Sequence, residues 1–352
     1  MKRARKPYLA KEEFYTFFKQ IPKAELHLHL EAVISRQTIC RFYQRRHPDA
    51  TAEQADTAIT EMFTYSDLNG FIQAYLEVQD LYEDPSDFDY VFADLADYLV
   101  RNGICYAEVF AAPSAFIKKG WDFSELIDTY HRNVLKIKEE TGIDVRLLID
   151  VSRTFGFENA EKNLQLLLAY RIPEIIGIGL GGSEQKGPAK LFGNVFDKAR
   201  KNGLVTVAHA GEDAGSESIW DSINILHAAR IGHGTSAALD EELMQTLAKC
   251  KIPLEVCPTS NVFTQKYVKS ISEHPIRTFF DKGIVVTLNS DDPLFFGAEL
   301  LDEYWNMYSQ TGFKLKELKQ IIHNSFDASF LDEDKKRSFN ELVVKKWKKE
   351  KI

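Results

Sequence analysis

Short apolar runs recur along the chain, and each gives way to small or polar residues before a longer amphipathic stretch begins. That alternation predicts strands followed by helices. Eight runs fit a strand: Ala24 to Leu30, Cys105 to Phe110, Asp144 to Val151, Ile175 to Gly182, Leu204 to Glu212, Arg230 to Thr235, Pro253 to Ser260 and Ile284 to Asp292. Eight such units predict an α/β fold of the (β/α)8 TIM-barrel type, with reactive groups at the C-terminal strand ends. The spacing is uneven once. Residues 35 to 100, between the first and second strands, carry acidic and aromatic side chains such as Tyr65, Phe71, Tyr75, Tyr82 and Phe88. They predict a helical insertion capping the catalytic face, its aromatics used mainly for packing. The chain, 1–352, reads as one barrel with that cap inside it.

Composition narrows the function without changing the fold. With 44 Lys+Arg against 52 Asp+Glu the net charge is −8, which disfavours a general nucleic-acid binder, since such binding needs a basic face. No apolar run approaches the length of a membrane span, and the basic start, Met1 to Pro7, leads into charged residues instead of an apolar signal core. Cys40, Cys105, Cys250 and Cys257 stand at no zinc-knuckle or redox spacing, and Cys257 reads as a buried small apolar residue. A cytoplasmic enzyme of small molecules, acting on neither nucleic acid nor membrane, is the expectation.

The candidate chemistry gathers at the strand ends. His27 and His29, two apart on the first strand, share a face. His209 ends the fifth strand, His233 the sixth, and Asp291-Asp292 the eighth. Imidazole and carboxylate converging on one end of one barrel point to a metal site, with Zn2+ suited to three histidines and one aspartate. His47, His131, His227, His274 and His323 show no such convergence and read as structural or surface residues. The fourth run has no lysine that could bridge two metals, so one ion per chain is expected. Its glycines, Gly177 to Gly182, do not match a dinucleotide fingerprint and suit close approach of a flat ring. Arg153 and Glu255, at the ends of strands three and seven, are expected to form a structural salt bridge, the alternative being that Arg153 meets a substrate carboxylate. The basic tail, Lys345 to Lys351, reads as a solvated helix end.

Six segments in order carry a resemblance: Pro22-Lys-Ala-Glu-Leu-His-Leu-His-Leu-Glu31, Gly177 to Glu184, His209-Ala-Gly-Glu212, Gly232-His-Gly234, Cys257-Pro-Thr-Ser-Asn261 and Leu288-Asn-Ser-Asp-Asp-Pro293. The sequence resembles the adenosine deaminase family of metal-dependent aminohydrolases. The resemblance implies that His27, His29, His209 and Asp291 bind zinc, which activates water for attack on the carbon bearing the amino group. By the same likeness Glu212 protonates the neighbouring ring nitrogen, and His233 and Asp291 orient and deprotonate the water. Asp292, facing a different direction from its neighbour, hydrogen-bonds the five-membered ring, and the Gly182 backbone meets the opposite ring edge. His29 and Glu31 complete the substrate contacts.

Departures from the family pattern concern the group attached to the purine. Adenosine deaminases typically carry Leu-Asp-Gly where this chain has Leu30-Glu31-Ala32, and adenine deaminases carry Asp-Ser-Ser-Glu where it has Gly181-Gly-Ser-Glu184. A third branch acts on 6-aminodeoxyfutalosine, whose carboxyphenyl group could use the room left by glycines. The expected activity is hydrolytic deamination of a 6-aminopurine. Alternatives from other classes are a nucleic-acid editor, which lacks its Pro-Cys-x-x-Cys zinc motif here, and a non-catalytic purine-binding relative.

Overall fold

The computed structural model describes residues 9–65 and 68–349, so the basic start and the last residues of the tail lie outside the described residues. Eight strands are present: β1 (Lys23–His29), β2 (Ile104–Ala111), β3 (Asp144–Asp150), β4 (Ile175–Gly179), β5 (Val205–Ala210), β6 (Arg230–His233), β7 (Leu254–Val256) and β8 (Val286–Leu288). Each pairs in parallel with the next, in the order β1 to β8. Helices cover the outside, which makes this a (β/α)8 barrel. The helix Phe123–Thr141 shows why they dock: Leu126, Ile127, Tyr130, Val134 and Ile137 form one buried stripe at helical spacing. Asp122 accepts from the N–H groups of Ser124 and Glu125 at its start, and Gly142, at φ 75°, ends it.

The seam between β8 and β1 is closed by the loop after β8. Asp291 accepts from the His29 N–H at 3.0 Å and donates to the His27 carbonyl at 3.3 Å. Lower down, Asn289 Oδ1 accepts from the N–H groups of Leu26 and His27 at 2.9 and 3.1 Å, standing in for a strand. The sequence runs predicted longer strands at five ends, reaching Gly182, Glu212, Thr235, Ser260 and Asp292. The observed strands stop sooner: the backbone turns at Gly182, Gly211, Gly234 and Asp291, all with positive φ, and after β7 the helix Pro258–Thr264 begins. Alternating polarity continues into these loops and mimics a strand.

Between β1 and β2 the chain forms the helices Arg36–Arg46, Ala52–Met62, Leu68–Asp80 and Phe88–Asn102. Aromatics of this segment meet the loops after β7 and β8. Tyr65 donates to the Phe295 carbonyl at 2.6 Å, Phe71 packs on Phe263, Phe295 and Phe296, and Tyr75 packs on Phe295. Tyr82 and Phe88 instead pack on each other and on Phe116 in the core. At the tail, the helix Glu333–Lys349 is not wholly solvated, since Trp347 packs on Phe17 and Phe18. Among the described residues no helix is long and apolar enough to cross a membrane.

Candidate active site

The barrel interior is polar along one line. Glu108 on β2 accepts from Tyr106 at 2.7 Å and from the Phe330 N–H at 2.6 Å, and it pairs with Arg230 on β6. Arg230 also pairs with Glu255 on β7, whose other oxygen takes the His27 Nδ1 proton at 2.8 Å. Arg230, Glu108, Glu255 and His27 are all buried, and carboxylates on two sides satisfy the arginine. The consequence for His27 is its tautomer. With Nδ1 donating to Glu255, the Nε2 lone pair points into the site, where it has no hydrogen-bond partner.

Three other donors meet it. His29 Nε2 lies 3.1 Å from His209 Nε2 and 3.2 Å from Asp291 Oδ1, and Asp291 Oδ1 lies 3.4 Å from His27 Nε2. Ligands held at zinc–nitrogen distances around one tetrahedral ion stand about 3.3 Å apart, and these three spacings are close to that. Asp291 belongs to two groupings whose donor atoms all lie within 4.8 Å, one with His27, His209 and His233, the other with His29 and Asp292. Electrostatics agree. Burial lowers the His29 pKa, but Asp292, Asp291 and Asp150 outweigh it and push it up to about 10, so the site attracts positive charge.

Asp291 reaches this position with φ 67°, a left-handed conformation that aspartate tolerates better than most residues. The turn also breaks strand alternation. The Asp292 carboxylate joins His29 and Asp291 in one grouping of donor atoms within 4.8 Å, and burial with the Asp291 charge pushes it up to about 8.

Glu212 follows β5, with its Oε2 3.3 Å from His233 Nε2. Burial, then the charge of Asp291, hold its carboxyl well above the usual range. Among the described residues no lysine pairs with it; its backbone is held by Glu184. The Glu184 carboxylate accepts from the N–H groups of Gly211, Glu212 and Asp213 at 2.8, 2.7 and 2.9 Å, and from the Ser218 hydroxyl. In return Asp213 accepts from the Glu184 N–H at 3.2 Å. Glu184→Gln turns one acceptor into a donor and is expected to cost about 1.5–3 kcal/mol, with lower kcat at unchanged metal content. Thermal melts beside steady-state kinetics check this, and an unchanged kcat would detach the clamp from Glu212.

Sequence reasoning missed Asp150 as well as Glu184. Asp150 ends β3, and its Oδ1 accepts from the N–H groups of Ser152 and Gly181 at 2.7 and 3.0 Å. Its place at the end of Leu147-Leu-Ile-Asp150 was the available signal. It also corrects the reading of the glycines as room for substrate. A Cβ on Gly181 would stand 2.6 Å from Asp150 Oδ2, and one on Gly179 would stand 2.5 Å from the Phe110 ring, so that space is filled. Gly182 is glycine for its φ of 96° and because a Cβ would meet Thr154 Oγ1 at 2.3 Å. Glu31 is buried, accepting from the Ala112 N–H at 2.9 Å, with the Tyr75 hydroxyl 3.5 Å away. Arg153 and Glu255 do not pair. Arg153 donates to the carbonyls of Gly187, Leu180 and His209, because Arg230 already occupies Glu255.

A family model described as adenosine deaminase matches residues 22–346. The chain belongs to the adenosine deaminase family. Its members act as hydrolytic deaminases of aminopurines, and so does this chain. It is 38% identical over 322 residues to an aminodeoxyfutalosine deaminase of Streptomyces avermitilis, covering 91% of this chain and 89% of that one. It is 33% identical over 321 residues to an adenine deaminase of Crocosphaera subtropica, covering 91% and 98%. Among solved structures, an adenine deaminase from Arthrobacter aurescens superposes with a TM-score of 0.87 at 27% identity, covering 94% of this chain and 99% of that one.

Proposed function

We propose that this member of the family is a zinc-dependent enzyme, with one ion per chain, that replaces the 6-amino group of a purine by oxygen and releases ammonia. The observation that carries this is the contact of His29 with His209 and Asp291 at 3.1 and 3.2 Å, and of Asp291 with His27 at 3.4 Å, with Glu212 close by beside His233. Those four residues would hold the ion. Zinc bound there would lower the pKa of water to about 7, providing a nucleophile at neutral pH.

The remaining work falls to side chains. Attack on the carbon bearing the amino group breaks the ring's conjugation, so the adjacent nitrogen must gain a proton, and Glu212 is placed to give it. Asp291 and His233 orient the attacking water. Asp292 contacts the five-membered ring, the Gly182 backbone meets the opposite edge, and His29 and Glu31 border the bound substrate. The insertion 35–100 caps the site through Tyr65, Phe71 and Tyr75. Four free cysteines support a cytoplasmic setting.

For the attached group, the higher identity to the aminodeoxyfutalosine deaminase favours 6-aminodeoxyfutalosine. A second reading, adenine, draws support from buried Glu31 and Asp150, two carboxyl groups that suit an uncharged substrate better than a carboxyphenyl group. Loss of the aminopurine chromophore should be followed in parallel for 6-aminodeoxyfutalosine, adenine, adenosine, deoxyadenosine and methylthioadenosine. The first is expected to have the highest kcat/KM. Adenine in first place would select the second reading, and no loss with any of them would contradict deamination.

A further inference from the structure

His274 was set aside on sequence grounds, yet it begins a chain of contacts that ends in the active site. The Ile276 N–H donates to His274 Nδ1 at 3.1 Å, and His274 Nε2 lies 3.2 Å from Asn261 Oδ1. Asn261 Nδ2 lies 3.0 Å from His233 Nδ1, and His233 Nε2 lies 3.3 Å from Glu212 Oε2. Asn261, His233 and His274 are 1%, 1% and 4% exposed, so bulk water is not there to mend a mismatched contact.

The far end sets the direction of every bond. A backbone N–H can only donate, so His274 Nδ1 is bare and the single proton of the neutral ring sits on Nε2. Burial holds His274 down to about 3, which keeps it neutral. Its Nε2–H donates to the Asn261 oxygen, and the Asn261 amide then turns its NH2 toward His233. His233 Nδ1 must accept. A proton on that nitrogen would leave two buried donors facing each other. The only proton of His233 is therefore on Nε2, aimed at Glu212.

We propose that Asn261 and His274 are positioning residues that lock His233 in its neutral Nε2–H tautomer, so that His233 serves deamination as a hydrogen-bond donor and not as a base. The role assigned within the reaction rests on the deaminase reading; the tautomer does not. With no lone pair facing the site, His233 cannot take the water's proton, and that proton passes to the carboxylate of Asp291. His233 instead steadies negative charge on the attacking oxygen.

The test is a two-bond proton–nitrogen correlation spectrum of the intact enzyme labelled with 15N-histidine, with His233 assigned by its loss in His233→Gln. The chain has nine histidines, few enough for assignment by difference. The expected spectrum has His233 and His274 each protonated at Nε2 and bare at Nδ1. His233 protonated at Nδ1, or at both nitrogens, overturns the proposal. Asn261→Asp offers His233 a carboxylate and is expected to move the proton to Nδ1, with kcat falling at least about 100-fold and KM changing less than about threefold; a wrong histidine tautomer costs a catalytic triad about 10⁴. His274→Gln keeps a donor toward Asn261 and should retain the wild-type tautomer, whereas His274→Leu should lose it. Equal spectra for those two variants would also overturn the proposal. A locked Nε2–H tautomer in a protein that deaminates no aminopurine would fault the deaminase reading and leave the relay standing.

Discussion

Glu212→Gln is expected to bind metal as the wild type does and to lose roughly 10²–10⁴-fold in kcat, the contribution of one well-placed acid–base group. Glutamine keeps the shape of the side chain, and the Glu184 clamp holds only the Glu212 backbone N–H, at 2.7 Å, so the loop after β5 should stay in place. What is lost is the removable proton. A carboxyl buried beside the negative Asp291 is held well above its usual range, and an amide in its place cannot pass a proton to the ring. Metal content and kcat measured on the same preparation separate the two roles. Full turnover in Glu212→Gln would remove Glu212 from proton delivery.

His209→Ala is expected to abolish both metal retention and turnover. His209 Nε2 stands 3.1 Å from His29 Nε2, and burial together with neighbouring imidazoles holds its pKa well below the usual histidine value, keeping it neutral as a ligand must be. Removing it leaves three of the four donors. Glu255→Gln is the graded companion, because, of the four candidate metal ligands, Glu255 hydrogen-bonds His27, whose Nδ1 it holds at 2.8 Å. Loss of such an outer partner costs about 10–100-fold in metal affinity. Chelator competition followed by metal analysis should rank the proteins as wild type, Glu255→Gln, then His209→Ala. An Ala variant that held its metal as tightly as wild type would exclude His209 from the donor set.

The barrel was legible because its strands are short, mostly apolar runs between longer amphipathic stretches, and a run such as Val205–Ala210 is buried from Thr206 onward. The candidate donors were legible because histidine and aspartate are uncommon at so many strand ends of one sheet. What the sequence hid lies in side chains whose partners are distant in the chain. Glu184 reads as the end of a glycine-rich loop, and only the folded chain brings it to the N–H groups of 211 to 213. His274 stands 41 residues beyond His233, and Asn261 links the two. Glu255 met Arg230 instead of Arg153 because both carry inward-facing positions on adjacent strands, β6 and β7. The φ of 67° at Asp291, a turn where the pattern suggested a continuing strand, could not be read from the sequence.

The most direct measurement is anomalous scattering at the zinc edge from crystals of protein whose metal content has been determined on the same batch. The account predicts one zinc per chain and one anomalous peak, bounded by Nε2 of His27, His29 and His209 and by Oδ1 of Asp291. Metal-free protein that deaminates at full rate, or a peak lying away from those four atoms, would contradict it.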